Sequence, residues 1–381
     1  MKRIMIWDDS ITGHHLEYIH HIYEAAVSEE AEFIFVLPED FQRQKYLMIW
    51  AEAHNISFDF MPIHETSRLK GGYIKSSLRR SLSIRKYALK HHVDDVFLNV
   101  LCLPYPLLPL FIPQRVRVSG VIYQIYLYKW KALTLPVKLK YVLETWGMAK
   151  SRCTKHLLVL NDSTAVRYYN KLYKTDKFKA IVDPVVLVSN DTSKYNRSTY
   201  GIPNNSMMFL HFGAMDDRKG TLEILQALLL LKQESLKDKC FVFAGKIGAA
   251  IKVEFYKLSS AIKMVGVNII VFDAFCEFGK LDELCYLSDY ILIPYKTVEL
   301  SSGVVGHSAK YGKRIIGPQE GVIGKLIKQC PGSIAIKGLT PQKLADAIVK
   351  CDKYQSIANY KYMERNSIKK FQCSIMNTLL G

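Results

Sequence analysis

The stretch PYKTVELSSGVVGHSAKYGKRII, Pro294–Ile316, decides how the second half of the chain is interpreted. The apolar run DYILIP before it is typical of a buried parallel strand, and a polar loop with one acid, Glu299, follows. A Ser-Ser-Gly sequence, 301–303, opens a predicted helix, 304–311, and a second strand comes next. The start of that helix leaves backbone N–H groups free for an anion, usually a phosphate. The alternative is that Ser301 serves only as the helix N-cap.

This segment resembles the donor-binding segment of family 4-type retaining glycosyltransferases, which have the GT-B fold. The family pattern is Pro-Ser-x-x-Glu-Gly-x-Gly, then a second Glu, then a Gly before the next strand. Glu299 matches the first acid and Gly312-Lys313 matches the late glycine, whereas His307 stands where the family has its second acid. The resemblance implies that Glu299 holds sugar hydroxyls and that the amides after it hold a diphosphate. The ribose-binding role of the second acid would fall to His307.

A second segment, LHFGAMDDRKG at Leu210–Gly220, supports the first. It resembles the family's Phe-x-Gly-Arg-x-x-x-x-Lys-Gly turn, in which an Arg and a Lys bind the nucleotide diphosphate. Gly213 and Lys219 match, Ala214 replaces the usual Arg, and Arg218 stands beside Lys219. Cations are unfavourable near the positive end of a helix unless an anion binds there, so the pattern favours a phosphate site over two solvated charges.

Candidate acceptor-side residues lie in the first half of the chain. Gly13-His14-His15 opens the first predicted helix and suits a sugar or an anion, or is merely a glycine turn with two histidines. Tyr123-Gln124 follows a predicted strand, at the place where the resembling family commonly has His-Asp. The complete set of predicted site residues is: catalytic Glu299, Lys219 and Arg218; donor-binding Gly213, Ser301, Ser302, Gly303, Val304, His307 and Phe275; acceptor-side Gly13, His14, His15, Tyr123 and Gln124; and no metal ligand.

The 381 residues alternate predicted strands and helices twice, around a polar linker. This pattern predicts an α/β chain of two doubly wound Rossmann-like parallel-sheet domains, which the GT-B resemblance places on either side of a central cleft. The expected divisions are an acceptor-side domain, 1–182, a linker, 183–206, a nucleotide-sugar-binding domain, 207–352, and a C-terminal segment, 353–381. The resemblance implies that the last helix crosses back to the first domain.

Two less regular regions also receive helices in this interpretation. One helix is expected over 40–53, and the tail, 341–379, is expected to form two. The apolar run Val96–Pro113 contains four prolines, which exclude a transmembrane helix because each removes a helical hydrogen bond or clashes with the preceding turn.

The net charge is +17, from 52 Lys and Arg against 35 Asp and Glu, and it indicates anionic partners. Residues 68–92 contain eight Lys and Arg and no acid, and residues 114–156 interleave basic with aromatic residues. Such stretches are typical of a membrane surface, although an ordinary solvated face has the same composition. The eight Cys show no Cys-x-x-Cys pair, which argues against structural zinc and a disulfide framework and fits a reducing cytoplasm.

These observations lead to an expected function. The chain is interpreted as a hexosyltransferase-type enzyme that moves a sugar from a nucleotide diphosphate-sugar to a saccharide or lipid-linked acceptor, in bacterial surface polysaccharide biosynthesis. We expect retention, no metal and no cofactor besides the donor, and a cytoplasmic location that includes the inner face of the plasma membrane. Nucleic acid is not an expected partner. Two alternatives stay open: a non-catalytic binding protein of the same fold, and a GT-B-fold sugar-nucleotide epimerase.

Overall fold

A computed structural model describes residues 1–11, 14–45, 48–101, 107–186 and 192–381. The chain divides into two units, the first made of Met1–Asp183 with Ile368–Gly381 and the second of Pro184–Ser367. Each unit contains its own parallel sheet, in which the central strands are short, apolar and buried on both faces.

The described residues of the first unit form a seven-stranded sheet in the order β3-β2-β1-β4-β5-β6-β7. Its strands are β1 Arg3–Trp7, β2 Glu32–Pro38, β3 Ile56–Met61, β4 Asp95–Leu98, β5 Arg117–Ile122, β6 Thr154–Leu160 and β7 Phe178–Ile181. Its helices before residue 184 are α1 His14–Ala26, α2 Phe41–Gln44, α3 Ile63–Arg68, α4 Tyr73–Lys90, α5 Leu108–Phe111, α6 Leu135–Lys150 and α7 Ser163–Tyr173.

The described residues of the second unit form a six-stranded parallel sheet in the order β10-β9-β8-β11-β12-β13. Its strands are β8 Met207–Phe212, β9 Lys239–Ala244, β10 Asn268–Phe272, β11 Tyr290–Leu292, β12 Arg314–Pro318 and β13 Ile334–Ile336. Its helices are α8 Thr221–Leu229, α9 Ala249–Met264, α10 Phe278–Leu287, α11 Val304–Tyr311, α12 Gly321–Ile327, α13 Pro341–Val349 and α14 Tyr360–Arg365.

The last helix, α15 Ile368–Leu380, belongs to the first unit. Its buried side chains Phe371, Ile375 and Leu379 join the core that β1, β2 and α1 form. The ring of Phe371 lies 4.9 Å from that of Tyr18 on α1, centroid to centroid. The two ends of the chain therefore share one hydrophobic core.

The helix predicted over 40–53 is wrong beyond its first turn, because α2 ends at Gln44. Side chains of α1 bind backbone carbonyls that a longer helix would use: the Tyr23 hydroxyl donates to the Ala51 carbonyl at 2.7 Å, and His20 Nε2 to Ile49 at 2.7 Å. The Trp50 ring then packs edge-on against Tyr23, with centroids 4.7 Å apart. Tertiary packing has overridden local helix propensity here.

The prediction of two helices over 341–379 is also wrong, since α13, α14 and α15 lie there. The segment between α13 and α14 runs without helix past the end of α11. The Tyr354 hydroxyl donates to the Asp289 carbonyl at 2.5 Å, and the Asn359 N–H donates to the Ala309 carbonyl at 2.8 Å. These bonds tie the segment to α11 and to the residue that precedes β11.

Among the described residues, every helix falls short of the length and apolar character that a bilayer-spanning segment requires.

Candidate functional site

In the second sheet, the strand order reverses between β8 and β11. Ligands of open α/β sheets bind outside the carboxyl ends of the strands at such a reversal. The two segments singled out in the sequence are the loops that follow these two strands. Each brings its own functional groups to the same edge of the sheet.

The loop after β8 positions Lys219. Asp216 caps the short 3-10 turn Asp217–Lys219 by accepting from the Lys219 N–H at 2.9 Å. The Lys219 side chain returns over Gly213, where a Cβ atom would lie 2.7 Å from Nζ, and Nζ lies 3.5 Å from the Phe212 carbonyl oxygen. Gly213 also has φ +93°, which glycine adopts readily. The ammonium group is thereby held at the carboxyl end of β8.

The carboxylates around Lys219 are engaged by other cations. Asp216 Oδ2 lies 3.4 Å from Arg218 Nη2, and Lys296 Nζ lies 2.6 Å from both Asp217 Oδ1 and Glu223 Oε1. Within the described part of the chain, no carboxylate comes within 4.0 Å of Lys219 Nζ. The neighbouring Arg218 is partly exposed and directed to Asp216. Of the two cations, Lys219 is therefore the one whose charge is more available to bind an anion.

The loop after β11 carries Glu299, whose side chain is fully buried. Its neighbour Val298 accepts at its carbonyl oxygen from the Val322 N–H of α12 at 2.8 Å. Gly321 lies so close to this carbonyl that a Cβ would come within 2.1 Å of it. The start of α12 therefore fixes the backbone that presents Glu299.

Helix α11 begins differently from the capping alternative raised by the sequence. Gly303 is the N-cap residue, so Ser301 lies outside the cap and that alternative is wrong. The first ladder bonds run from the Val305 N–H to Ser302 at 3.1 Å and from the His307 N–H to Gly303 at 3.2 Å. No backbone carbonyl of the described residues accepts from the N–H groups of Gly303 or Val304. The start of α11 therefore offers two N–H donors, and N–H donors at the start of a helix are suited to bind an anion.

Two further contacts join the elements around β8 and β11, in addition to the Lys296–Asp217 ion pair. The ring of His307 packs edge-on against Phe212, the last residue of β8, with centroids 5.6 Å apart. Gly220, at φ +68°, approaches Pro294 so closely that a Cβ would lie 2.1 Å from its carbonyl oxygen. His307, the departure from the family pattern, therefore lies at the junction of the two predicted motifs.

A buried histidine also ties these strands together. His211 Nδ1 donates to the Leu292 carbonyl at 2.8 Å, and its Nε2 lies 3.0 Å from the Thr221 hydroxyl at the start of α8. Burial lowers the pKa of His211 to about 4, and the positive charge of Lys219 acts in the same direction. His211 is accordingly neutral at pH 7 and structural.

The next two strands add features at the same edge. Gly245 follows β9 at φ +143°, and a Cβ there would lie 2.0 Å from the Gly213 carbonyl oxygen. Sequence reasoning missed Gly245, although an isolated glycine directly after a buried strand resembles Gly213 in its setting. Phe275 follows β10 and is 88% exposed, so its ring is accessible to a ligand.

In the first unit, the strand order reverses between β1 and β4, and a polar cluster lies there. Asp8 follows β1, is buried, and accepts from His15 Nδ1 at 2.8 Å and from Asn99 Nδ2 at 2.5 Å. The Tyr123 hydroxyl donates to Asn99 Oδ1 at 3.3 Å. Two predicted residues, His15 and Tyr123, are therefore joined through Asp8 and Asn99, whose roles the sequence did not indicate. The signal for Asn99 was a lone amide after the apolar run of β4.

The charge of Asp8 acts on His15. Burial lowers the pKa of His15, but the hydrogen bond and the charge of Asp8, with a smaller contribution from Asp9, outweigh it and raise the pKa above 6.5. Asp9 itself pairs with Arg80, 2.6 Å from Nη2. The cluster thus favours an imidazolium, which can donate to a ligand or transfer a proton.

The other acceptor-side predictions have different outcomes. Gly13 lies outside the described residues. His14 is exposed and lies 3.7 Å from Glu17, on α1, rather than in the Asp8 cluster. Gln124 follows Tyr123 and is half-buried.

No protein-family model matches this chain, and no curated protein sequence matches it significantly. Solved structures do match along the whole chain. The structure of Anabaena Alr3699/HepE in complex with UDP-glucose has 14% identity and a TM-score of 0.72, covering 100% of this chain and 99% of that one. WaaG, a glycosyltransferase involved in lipopolysaccharide biosynthesis, has 13% identity and a TM-score of 0.66, covering 100% of both chains.

A third match is the UDP-forming alpha,alpha-trehalose-phosphate synthase from Burkholderia vietnamiensis, with 9% identity and a TM-score of 0.73, covering 100% of this chain and 99% of that one. These proteins are glycosyltransferases of the GT-B fold. The two Rossmann-like parallel-sheet domains of the present chain match that fold, as predicted.

Proposed function

We propose that this protein is a glycosyltransferase that uses a nucleotide diphosphate-sugar as donor. One observation carries the proposal: the Lys219 ammonium group and the start of α11 follow the two strands that flank the order reversal of the second sheet. A leaving nucleoside diphosphate gains negative charge as the sugar departs, and fixed donors at that position stabilise it. The UDP-bound HepE structures and the UDP-forming synthase support this donor class.

The finer features of the reaction are part of the same proposal. Lys219, assisted by Arg218 and the amides of Gly303 and Val304, binds the diphosphate, and Glu299 accepts hydrogen bonds from hydroxyls of the donor sugar. The transfer is of the hexosyl type, retains the anomeric configuration and uses this charge in place of a metal. Among the described residues, the group of side chains able to hold a metal ion is His20, His21 and Glu24, on α1 of the first unit rather than in the donor loops.

The acceptor and its setting follow from the first unit. The Asp8–His15 pair holds an acceptor that is a saccharide or is linked to a lipid. The basic and aromatic composition of that unit favours an enzyme that acts at an anionic membrane surface, in the synthesis of a surface polysaccharide. WaaG, which acts in lipopolysaccharide biosynthesis, provides a parallel for such a role.

Two other functions make different predictions. The loss of the family's Arg at Ala214 and of its second acid at His307 favours a non-catalytic binding protein, whereas the retained Glu299 and the positioned Lys219 favour catalysis. A sugar-nucleotide epimerase would share the donor site. Its product would be a changed nucleotide-sugar or sugar without transfer to an acceptor.

The first test is a thermal-shift screen with UDP-, GDP-, ADP- and CDP-sugars, followed by calorimetry with the nucleoside diphosphate that stabilises the chain. We expect Lys219→Ala to weaken binding by about 1–3 kcal/mol, because a charged hydrogen bond is lost. Lys257→Ala, which removes an exposed lysine of α9 in the same unit, is the control for net charge. Equal affinities for Lys219→Ala and the unchanged protein would refute the assigned site.

A further inference from the structure

Helix α6 presents apolar side chains to solvent. Leu135, Leu139, Val142, Leu143 and Trp146 are each between 40% and 79% exposed. At helical spacing they lie within an arc of about 100°. These five residues are called the α6 face below.

The opposite side of the same helix is the one that packs inward. Glu144 and Met148 are buried there. A surface helix of a water-soluble protein normally has the reverse arrangement, with charged residues outward. The outward apolar stripe therefore requires a partner.

Lysines border the α6 face on both sides. Lys138 and Lys140 lie on opposite flanks of the stripe, and their Nζ atoms lie 5.6 Å from the Trp130 ring centroid and 3.5 Å from the Tyr73 ring centroid. Next to Tyr73, Ile74 at the start of α4 is 71% exposed and extends the apolar surface. Apolar side chains between lysines and aromatic rings are the pattern of a helix that lies in a membrane interface.

The α6 face also lacks negative charge. Glu144 is the one acid in the sequence of α6, and it is on the buried side. Lys140 Nζ lies 3.8 Å from its Oε1, yet burial dominates and raises the pKa of Glu144 to about 7. The surface offered by α6 is accordingly apolar and cationic.

We propose that the α6 face inserts into the headgroup region of an anionic lipid bilayer, with α6 parallel to the membrane plane. This deepens the proposed membrane association by assigning it to one surface, and it does not depend on the identity of the donor. Anionic headgroups complement the flanking lysines and the +17 charge of the chain. The 16 residues of α6 span about 24 Å, too short to cross a bilayer.

A second copy of the chain is the less suitable partner, because a symmetric contact would bring like-charged lysine flanks together.

The test is co-sedimentation of the full chain with vesicles of phosphatidylglycerol and phosphatidylcholine, and with phosphatidylcholine alone. We expect binding to the anionic vesicles that weakens with added salt, and a loss of about tenfold or more in the Leu139→Ser/Leu143→Ser variant. The Lys138→Ala/Lys140→Ala variant should bind less and lose part of the salt dependence. The matched control is Val253→Ser/Met264→Ser, which changes two exposed apolar residues of α9 in the second unit and should bind normally.

Every variant is also titrated with the nucleoside diphosphate found in the donor screen, so that a folding defect is recognised. The proposal is overturned if the α6 variants bind anionic vesicles as the unchanged protein does, if neutral vesicles bind equally well, or if no vesicle binds. A dimer that the Leu139→Ser/Leu143→Ser change dissociates, without vesicle binding, would assign the face to a second copy instead. Vesicle binding without any nucleotide binding would support the membrane surface and refute the donor site.

Discussion

Lys219 is the residue that we propose binds the diphosphate of the donor. Its backbone is fixed by the Asp216 cap, and its ammonium group is directed over a glycine that leaves room for it. The sequence predicts a phosphate-binding turn at Lys219, because such a turn needs a cation beside a glycine. The different settings of Lys219 and Arg218 could not be predicted, because the ion pair between Arg218 and Asp216 depends on side-chain positions within the turn.

Glu299 should control turnover rather than nucleotide affinity. In Glu299→Gln the side chain keeps its size, but it no longer offers two charged acceptors to sugar hydroxyls. We expect transfer to fall at least tenfold, corresponding to about 1.4 kcal/mol or more in the barrier. Calorimetry should give the nucleoside diphosphate affinity of the unchanged protein, in contrast to Lys219→Ala. Full transfer activity in Glu299→Gln would refute its role.

His15 should lose its raised pKa when Asp8 is neutralised. The hydrogen bond and charge of Asp8 raise the pKa of His15, so Asp8→Asn should lower it, as measured by NMR titration of the imidazole protons. Because the folded-state pKa is above 6.5, the stabilisation from this pair is complete below pH 6.5 and is lost as pH rises through the folded-state value. The difference in melting temperature between mildly acidic and mildly basic pH should therefore decrease in Asp8→Asn.

The control is Asp40→Asn, which changes an exposed acid of the same unit. An unchanged His15 titration in Asp8→Asn would contradict the pairing.

At the scale of elements, backbone-to-backbone contact at glycines holds the donor loops together. Gly220 lies against Pro294, which joins the loop of β8 to that of β11. Gly245 lies against Gly213, which joins the loop of β8 to the end of β9. The geometry of the candidate site consequently depends on residues without side chains.

Replacement of Gly220 by alanine tests this dependence. The new Cβ would meet the Pro294 carbonyl oxygen at a φ of +68°, so we expect a loss of about 2–4 kcal/mol in the free energy of unfolding. Nucleoside diphosphate binding should weaken together with stability, because Lys219 precedes the shifted residue. Gly279→Ala is the control, since a Cβ there meets nothing within 4 Å in α10. A Gly220→Ala protein as stable as Gly279→Ala would refute the proposed contact.

The strands and most of the long helices could be predicted from the sequence because buried parallel strands appear as short apolar runs between helical periods. The helix over 40–53 could not be corrected from sequence, since its end depends on hydrogen bonds from His20 and Tyr23 of another helix. The bounds of α11, 304–311, were predicted correctly, but the sequence did not decide its cap: serine is the more frequent cap residue, and the local backbone places Gly303 at that position instead.

Across the whole molecule, the net charge could be counted and the two sheets predicted from the sequence. The Asp8–Asn99–Tyr123 cluster could not be predicted. These residues lie far apart in the chain and meet only because β1, β4 and β5 are neighbours in the sheet. The outward apolar face of α6 was likewise hidden, because periodicity identifies a stripe without showing whether it faces the core.

Proton NMR of nucleotide diphosphate-sugars incubated with the full chain shows whether the protein cleaves such a donor and releases its sugar. We predict that at least one of the UDP-, GDP-, ADP- or CDP-sugars is slowly hydrolysed, with water as the acceptor, to nucleoside diphosphate and free sugar. The first-formed free sugar should keep the anomeric configuration of the donor, and Lys219→Ala and Glu299→Gln should slow the reaction. A protein that binds nucleoside diphosphate but consumes no donor, or that yields only an epimerised sugar, would contradict the account.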